Sequence, residues 1–259
     1  MIEEQTIFST EMTLEDAQRQ IQALHRQLAE LKGQNRAMWG LLAEISRRLQ
    51  TSSTSIKAAV SSLLDYDIFW DGSTQHEFLE TIDTSVDQGA NLIMLMMLAF
   101  RSEADNLEMK PEPHTLQEIL STVLDTISAK RPEFRFDVVF PAADTPVLVD
   151  YGYLAVGLRL LLEVLIESGM ALPKLKLRVV EAEDYWYLDI VHIQESVTKA
   201  IDHLCQGRFD DLMLADHISP ENALKLFTAS RIIRLQNIQL AVRAGEERET
   251  GLRLTIPTA

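Results

Sequence analysis

Along residues 14–66 one set of positions recurs in alternating steps of three and four: Ile21, Leu24, Leu28, Leu31, Asn35, Met38, Leu42, Ile45, Leu49, Ser52, Ile56, Ala59 and Leu63. All but Asn35 and Ser52 are apolar. This is the a/d seam of a coiled coil, and it predicts one long helix from Leu14 to about Tyr66. Leu14 and Ala17 extend the register upstream, and Thr13 with Asp16 three residues on is a helix-start signature. Asn35 at an a position favours a parallel two-stranded coil in register, at a cost in stability. Gly33 and Gly40 flank it and leave a second reading open, a hydrated polar residue at a weak point. Residues 1–12 show no sustained period and are expected to fray.

The pattern breaks at residues 65–73, where Gly72 can supply a positive φ. A second helix is predicted from Thr74 to about Glu103, with Phe78, Ile82, Val86, Ile93, Met96, Met97 and Phe100 on one face. Residues 92–100 are nearly apolar all round, as a helix buried in a bundle would be. Two helices joined by a short turn form an antiparallel hairpin, and two such hairpins complete a four-helix bundle. Pro111 and Pro113 mark a linker over 110–113, because neither fits inside a helix. Beyond it the texture is mixed. Helices are expected over 116–129, 153–168, 198–205 and 220–235, and strands over 134–140, 147–149, 175–181, 185–193 and 251–256. Strands grouped with helices to one side read as a two-layer α/β sandwich, so the fold class is α+β. The domains are then 1–41 coiled coil, 42–109 helical hairpin, 110–113 linker and 114–259 α/β domain.

Charge changes the picture more than composition does. The chain of 259 residues carries a formal net charge of −15, which argues against nucleic acid as a main partner because phosphate binding needs a basic surface. The excess is uneven: residues 51–110 hold ten acids against three bases. It serves solubility or steers a basic partner. No apolar run approaches the length of a membrane span, and the N-terminal residues lack the features of a secretory signal. The single cysteine, Cys205, excludes an internal disulfide and fits a reducing cytoplasm.

The junction between coil and bundle carries a specific signal. Residues 42–57, Leu-Ala-Glu-Ile-Ser-Arg-Arg-Leu-Gln-Thr-Ser-Ser-Thr-Ser-Ile-Lys, resemble the phosphoacceptor segment of sensor histidine kinases, whose pattern is Ser-His-Glu-Leu-Arg-Thr-Pro-Leu-Thr-Ser-Ile. Ser46, Leu49, Thr51, Thr54, Ser55 and Ile56 match without a gap. Residues 78–113 resemble that family's second helix and linker. A weaker resemblance continues through an ATPase domain of the GHKL type to about residue 257. It implies a dimeric bundle followed by a nucleotide-binding sandwich.

The departures from the pattern set the expected function. The resemblance puts Arg47 where the phosphoacceptor histidine belongs, and a guanidinium stays protonated with no lone pair for attack on a phosphoryl group. Arg47 falls at a solvent-facing f position, and the kinking proline is replaced by Ser52, so a straighter helix is expected. Counted from Asp150, the asparagine that would hold Mg²⁺ is Val164, the earlier asparagine is Leu160 and the accompanying lysine is Glu167. Valine offers Mg²⁺ no oxygen. The adenine-reading aspartate becomes His192, and Gln194 and Ser196 fall in a loop that should hold glycines. Ala223 and Lys225 stand near the positions of the second glycine-rich loop. Without glycines a backbone cannot wrap phosphates closely.

Taken together the residues read as a degenerate, pseudokinase-like member of that family, with neither ATP nor Mg²⁺ expected to bind. The expected dimer interface is Ile21, Leu24, Leu28, Leu31, Asn35, Met38, Leu42, Ile45, Leu49 and Ile56. The expected partner-binding face is Arg47, Arg48, Gln50, Thr51 and Thr54, and it would engage a response regulator's receiver domain or a partner histidine kinase. The protein is expected to be a cytoplasmic homodimer, a scaffold or regulator in two-component signalling without direct membrane insertion. Two alternatives stay open: a divergent active kinase or phosphotransferase using another histidine, and a structural dimerisation module. His25, His76, His114, His192, His203 and His217 have no helical neighbourhood like the family's acceptor, and no metal site has convincing ligand spacing.

Overall fold

A computed structural model of the chain describes residues 14–65, 72–141, 146–168, 174–191, 193, 195–205, 218–244 and 250–258. The hydrophobic seam produces α1 (Leu14–Asp65), a single unbroken helix. It continues through Ser52 without a break. α2 (Gly72–Glu103) returns beside it. The Ser52 hydroxyl donates to the Ser85 carbonyl, and a Cβ on Gly89 would meet the Leu49 side chain at 3.9 Å. These pairings set α1 and α2 antiparallel.

α2 divides its apolar residues between two faces. Ser85, Leu92, Leu95, Ala99 and Ser102 turn inward. Val86, Ile93, Met97 and Phe100, which share one face by their spacing, are exposed in the single chain together with Leu79. The helix therefore carries two apolar stripes. Periodicity alone cannot say which of two stripes faces the chain's own partner helix.

The chain then enters a small two-stranded sheet, β1 (Glu112–His114) paired antiparallel with β3 (Val147–Val149). The linker prolines thus lie within or beside a short edge strand, a place that tolerates the missing N–H. The Lys110 amide donates to Asp150 Oδ2 at 2.8 Å, which ties the linker to the start of the helix that begins at Tyr151.

The remaining elements are α3 (Leu116–Lys130), β2 (Arg135–Val139), α4 (Tyr151–Glu167), β4 (Lys174–Glu181), β5 (Tyr185–Val191), α5 (Glu195–Cys205), α6 (Pro220–Leu235), β6 (Gln239–Ala244) and β7 (Thr250–Pro257). Local chemistry sets several starts. Thr115, Asp150 and Ser219 cap α3, α4 and α6 through side-chain oxygens that accept from Glu118, Tyr153 and Asn222 amides. Pro220 opens α6, where its missing N–H costs nothing. Asn237, with φ of 60°, closes the turn after α6.

The five-stranded sheet runs β2-β4-β5-β7-β6. Only the β2–β4 pair is parallel. Alternation along β4 and β5 sends Leu175, Leu177, Val179, Trp186, Leu188 and Ile190 inward. There they meet Leu158, Leu161 and Leu165 of α4 and Ile233 of α6 in one buried cluster. The result is a two-layer sandwich whose helical layer rests on the bundle. α6 lies against α2 and α1, and Arg231 of α6 pairs with Glu103 and Asp105, each at 3.1 Å.

Gly251 sits where β7 crosses β5, and a Cβ there would stand 2.7 Å from the Ile190 carbonyl oxygen. Backbone cannot yield as a flexible side chain can. Gly251→Ala is therefore expected to lower stability by about 1–3 kcal/mol, the usual cost of overpacking, read from the denaturant midpoint.

Candidate functional site

The two groups of residues singled out by sequence, the face around Arg47 and the degenerate nucleotide positions, lie far apart in the chain. The fold brings part of each group to one cleft. α1 and α2 form one wall of a cleft of about 930 Å³, and α3, α4 and α6 form the other. Arg47, Arg48 and Thr51 line it from α1, and Leu160, Glu167 and Lys225 line it from the sandwich.

On the bundle wall, Arg47 is exposed and Arg48 is half-buried. The Arg48 guanidinium reaches across to α6, with Nη1 3.0 Å from Glu221 Oε2. Thr51 and Thr54 donate to the carbonyls of Arg47 and Gln50, one turn earlier, at 3.0 and 2.8 Å. Their hydroxyls are thereby engaged on their own helix, which leaves the guanidinium groups as the strong donors of this face. Gln50 and Thr54 are exposed but do not line the cleft.

On the sandwich wall, Val164 is fully buried and Leu160 only 5% exposed, and both belong to the hydrophobic core. Neither position presents an oxygen to the cleft. Glu167 is engaged twice, by Lys225 Nζ at 3.1 Å and by Arg131 at 3.4 Å. Lys225 also meets Glu221 at 3.2 Å and Glu163 at 3.9 Å, while Arg159 holds Glu163 at 2.8 Å. Burial pulls the Lys225 ammonium down, but Glu167, Glu221 and Glu163 outweigh it and raise its pKa above the ordinary lysine value.

Sequence reasoning placed Lys225 near a lost glycine loop and missed that it is the hub of a carboxylate cluster. A signal was present. Arg159/Glu163, Glu163/Glu167 and Glu221/Lys225 are all four apart, and charges on a helix as apolar as α4 are worth tracing. His192 and Gln194 lie outside the described residues, as do the side chains of Ser196, Leu31, Asn35 and Met38.

The remaining dimer-seam positions divide into two groups. Ile21, Leu24 and Leu28 are 54%, 56% and 49% exposed in the single chain, so their apolar surface is open for another helix. Ile45 is fully buried in the chain's own core, and Leu49 packs against that core. Leu42 and Ile56 are half-buried.

Of the other candidates, His76 is exposed with Nε2 3.1 Å from Glu80, and the His114 ring packs against Tyr151 with centroids 5.1 Å apart. The Cys205 thiol lies 3.0 Å from the Leu240 carbonyl. Burial pushes its pKa up despite the nearby Arg234, the opposite of what a reactive thiol needs. Among the described residues no helix is long and apolar enough to cross a membrane, and no group of three or more His, Cys, Asp or Glu is placed to hold a metal ion.

No protein-family model and no curated protein matches the chain. Solved structures do. The Acinetobacter baumannii histidine kinase AdeS aligns over 81% of this chain and 96% of its own, at 16% identity and a TM-score of 0.55. Histidine kinase ThkA, solved in complex with the response regulator protein TrrA, aligns over 92% of this chain and 67% of its own, at 14% identity and a TM-score of 0.56. Full-length ShkA in complex with AMPPNP aligns over 85% of this chain and 46% of its own, at 13% identity and a TM-score of 0.57. The helical bundle followed by an ATPase-type α/β sandwich is therefore the fold of sensor histidine kinases.

Proposed function

We propose that the protein is a non-catalytic, histidine-kinase-like component of two-component signalling that binds a response regulator or a partner kinase through the bundle face around Arg47 and Arg48. What supports this reading is the pair of guanidinium groups, Arg47 and Arg48, that line the cleft from α1 where the sequence resemblance puts the phosphoacceptor. Arg47 occupies the phosphoacceptor position and cannot accept a phosphoryl group. A receiver domain presents acidic side chains at its phosphorylation pocket, and arginines are well suited to bidentate carboxylate recognition. ThkA, which shares this fold, was solved with its response regulator bound.

The sandwich supports the same reading, because its residues do not fit a Mg²⁺-nucleotide. Mg²⁺ takes oxygen ligands in near-octahedral geometry, whereas Val164 and Leu160 are aliphatic and enclosed. Glu167 is committed to Lys225 and Arg131. Lys225 and its carboxylates instead make a rigid ionic cluster, which Arg48 joins to the bundle through Glu221. The domain thus serves as a brace for the docking face.

The protein acts as a dimer in this account. Ile21, Leu24 and Leu28 on α1, with Leu79, Val86, Ile93, Met97 and Phe100 on α2, expose two apolar stripes on the bundle. Stripes of this length on a helical hairpin are what a second hairpin covers. Sedimentation at micromolar concentration should give twice the chain mass, and a monomer there would remove the dimer from the account.

The enzymatic alternative rests on His76, whose exposed ring stands beside Glu80. It requires acid-labile phosphate on the protein after incubation with ATP or a phosphorylated regulator, whereas the proposed function predicts none.

A further inference from the structure

The sheet has a second face, opposite the one that packs on the helices, where the fold's own contacts among the described residues include Arg243 and Arg253 on Asp189 and Arg253 over the Tyr187 ring. On β4 the alternation that buries Leu175, Leu177 and Val179 turns Lys174, Lys176 and Arg178 outward. On the edge strand β2, Arg135 lies opposite Lys174 and Val139 opposite Arg178. Across the sheet, Arg178 leads through Asp189 to Arg253, and Lys176 leads through Val191 and Gly251 to Arg243.

Six cations thus share this face with two carboxylates, in a chain of net charge −15. Both carboxylates are already engaged. Asp137 pairs with Lys174 at 3.2 Å, and the buried Asp189 is clamped between Arg243 at 2.8 Å and Arg253 at 2.6 Å. Among the described residues Arg135, Lys176 and Arg178 make no ion pair. Arg135 and Lys174 stand directly opposite on neighbouring strands, a like-charge pair that opposes sheet formation. Asp137 faces Lys176, and Asp189 faces Arg178 and Arg253, so the register offsets part of the charge and leaves this face with an excess of four cations.

We propose that this outer sheet face is a docking surface for an acidic, extended segment of a partner protein. Three observations select that occupant. Lys174, Lys176 and Arg178 stand two residues apart, roughly 6.6–6.8 Å, which is also the spacing of alternate side chains in an extended acidic strand. Val139, Val180 and Tyr185, which are 48%, 38% and 44% exposed, border the cations and give apolar contacts that a phosphate backbone would not use. The patch is small, about 19 Å across five strands. A membrane plane or a long polyanion would extend past it over a chain of net charge −15, whose repulsion acts within a Debye length of about 8 Å. This surface is independent of the bundle face, so it can be tested apart from receiver docking.

The test uses the full chain and a fluorescent deca-glutamate peptide, titrated at low and at physiological ionic strength. Binding is expected, weakened by salt and lowered at least tenfold in Lys176→Glu/Arg178→Glu. The neutral pair Lys176→Gln/Arg178→Gln should lower it less. Receiver binding should stay at the wild-type value in both variants, and the thermal midpoint should stay there in the neutral pair, whereas the charge-reversed pair sets carboxylates opposite Asp137 and Asp189 and should lower it. Absence of peptide binding, or binding insensitive to both pairs, would overturn the proposal. So would tighter binding of phosphatidylglycerol vesicles or of oligo-dT that is lost in the same variants, since it would assign the face to lipid or nucleic acid.

Discussion

Arg47→Glu should weaken binding of a cognate receiver domain by about 10- to 100-fold, equivalent to roughly 1.4–2.8 kcal/mol. The substitution replaces attraction to an acidic pocket with repulsion. Arg47 is exposed and lies outside the core, so the unfolding midpoint should not move. Arg47→Lys keeps the charge but loses bidentate geometry, and it should fall between the two. Calorimetric titration of receivers against the three proteins would check this. Equal affinities would remove Arg47 from the docking face, whatever the fold retains.

Lys225→Met should produce the largest loss of stability of any single change at the site. The side chain is 11% exposed and lies within 3.9 Å of three carboxylates. Removing the ammonium leaves Glu163, Glu167 and Glu221 facing one another, with only Arg48, Arg131 and Arg159 to compensate. Breaking a fully buried pair costs about 3–5 kcal/mol. The glutamates are partly exposed, and solvent screening reduces the expected loss to about 2 kcal/mol. Because the folded-state pKa of Lys225 is raised, its contribution is complete below the unfolded lysine value of about 10.4 and is lost as pH climbs through the higher folded value. Wild type and variant should therefore differ most at neutral pH and converge in strong alkali. A gap unchanged across that range would mean the cluster is held by packing alone.

The sequence was most legible where one physical rule acts alone. The heptad seam fixed α1, and Pro220 after Ser219 fixed the start of α6, because repeating spacing and capping chemistry are local. β1 was hidden by Pro111 and Pro113, which read as a linker until its pairing with β3 is known. β6 was missed because Gln239–Ala244 gains its identity from pairing with β7. The apolar residues of α2 form two stripes, and only the position of α1 decides which of them faces the chain's own partner helix.

The candidate site shows the same division. Arg47, Leu160, Val164 and Glu167 could be located by their order in the chain, but the ionic cluster on Lys225 could not. That cluster needs α3, α4 and α6 to converge. Its members on the sandwich are separated by up to 94 residues, from Arg131 to Lys225, and Arg48 stands 173 residues from Glu221, so no local period connects them. The sequence offers the residue type at each position, and the fold adds the ionic partners that Glu167 and Lys225 acquire there.

The central claim is that this sandwich braces a docking face and does not handle nucleotide. Calorimetric titration of the full chain with ATP and Mg²⁺ tests it most directly. The account predicts no saturable binding heat up to millimolar nucleotide, with or without the metal, and a micromolar dissociation constant would contradict it.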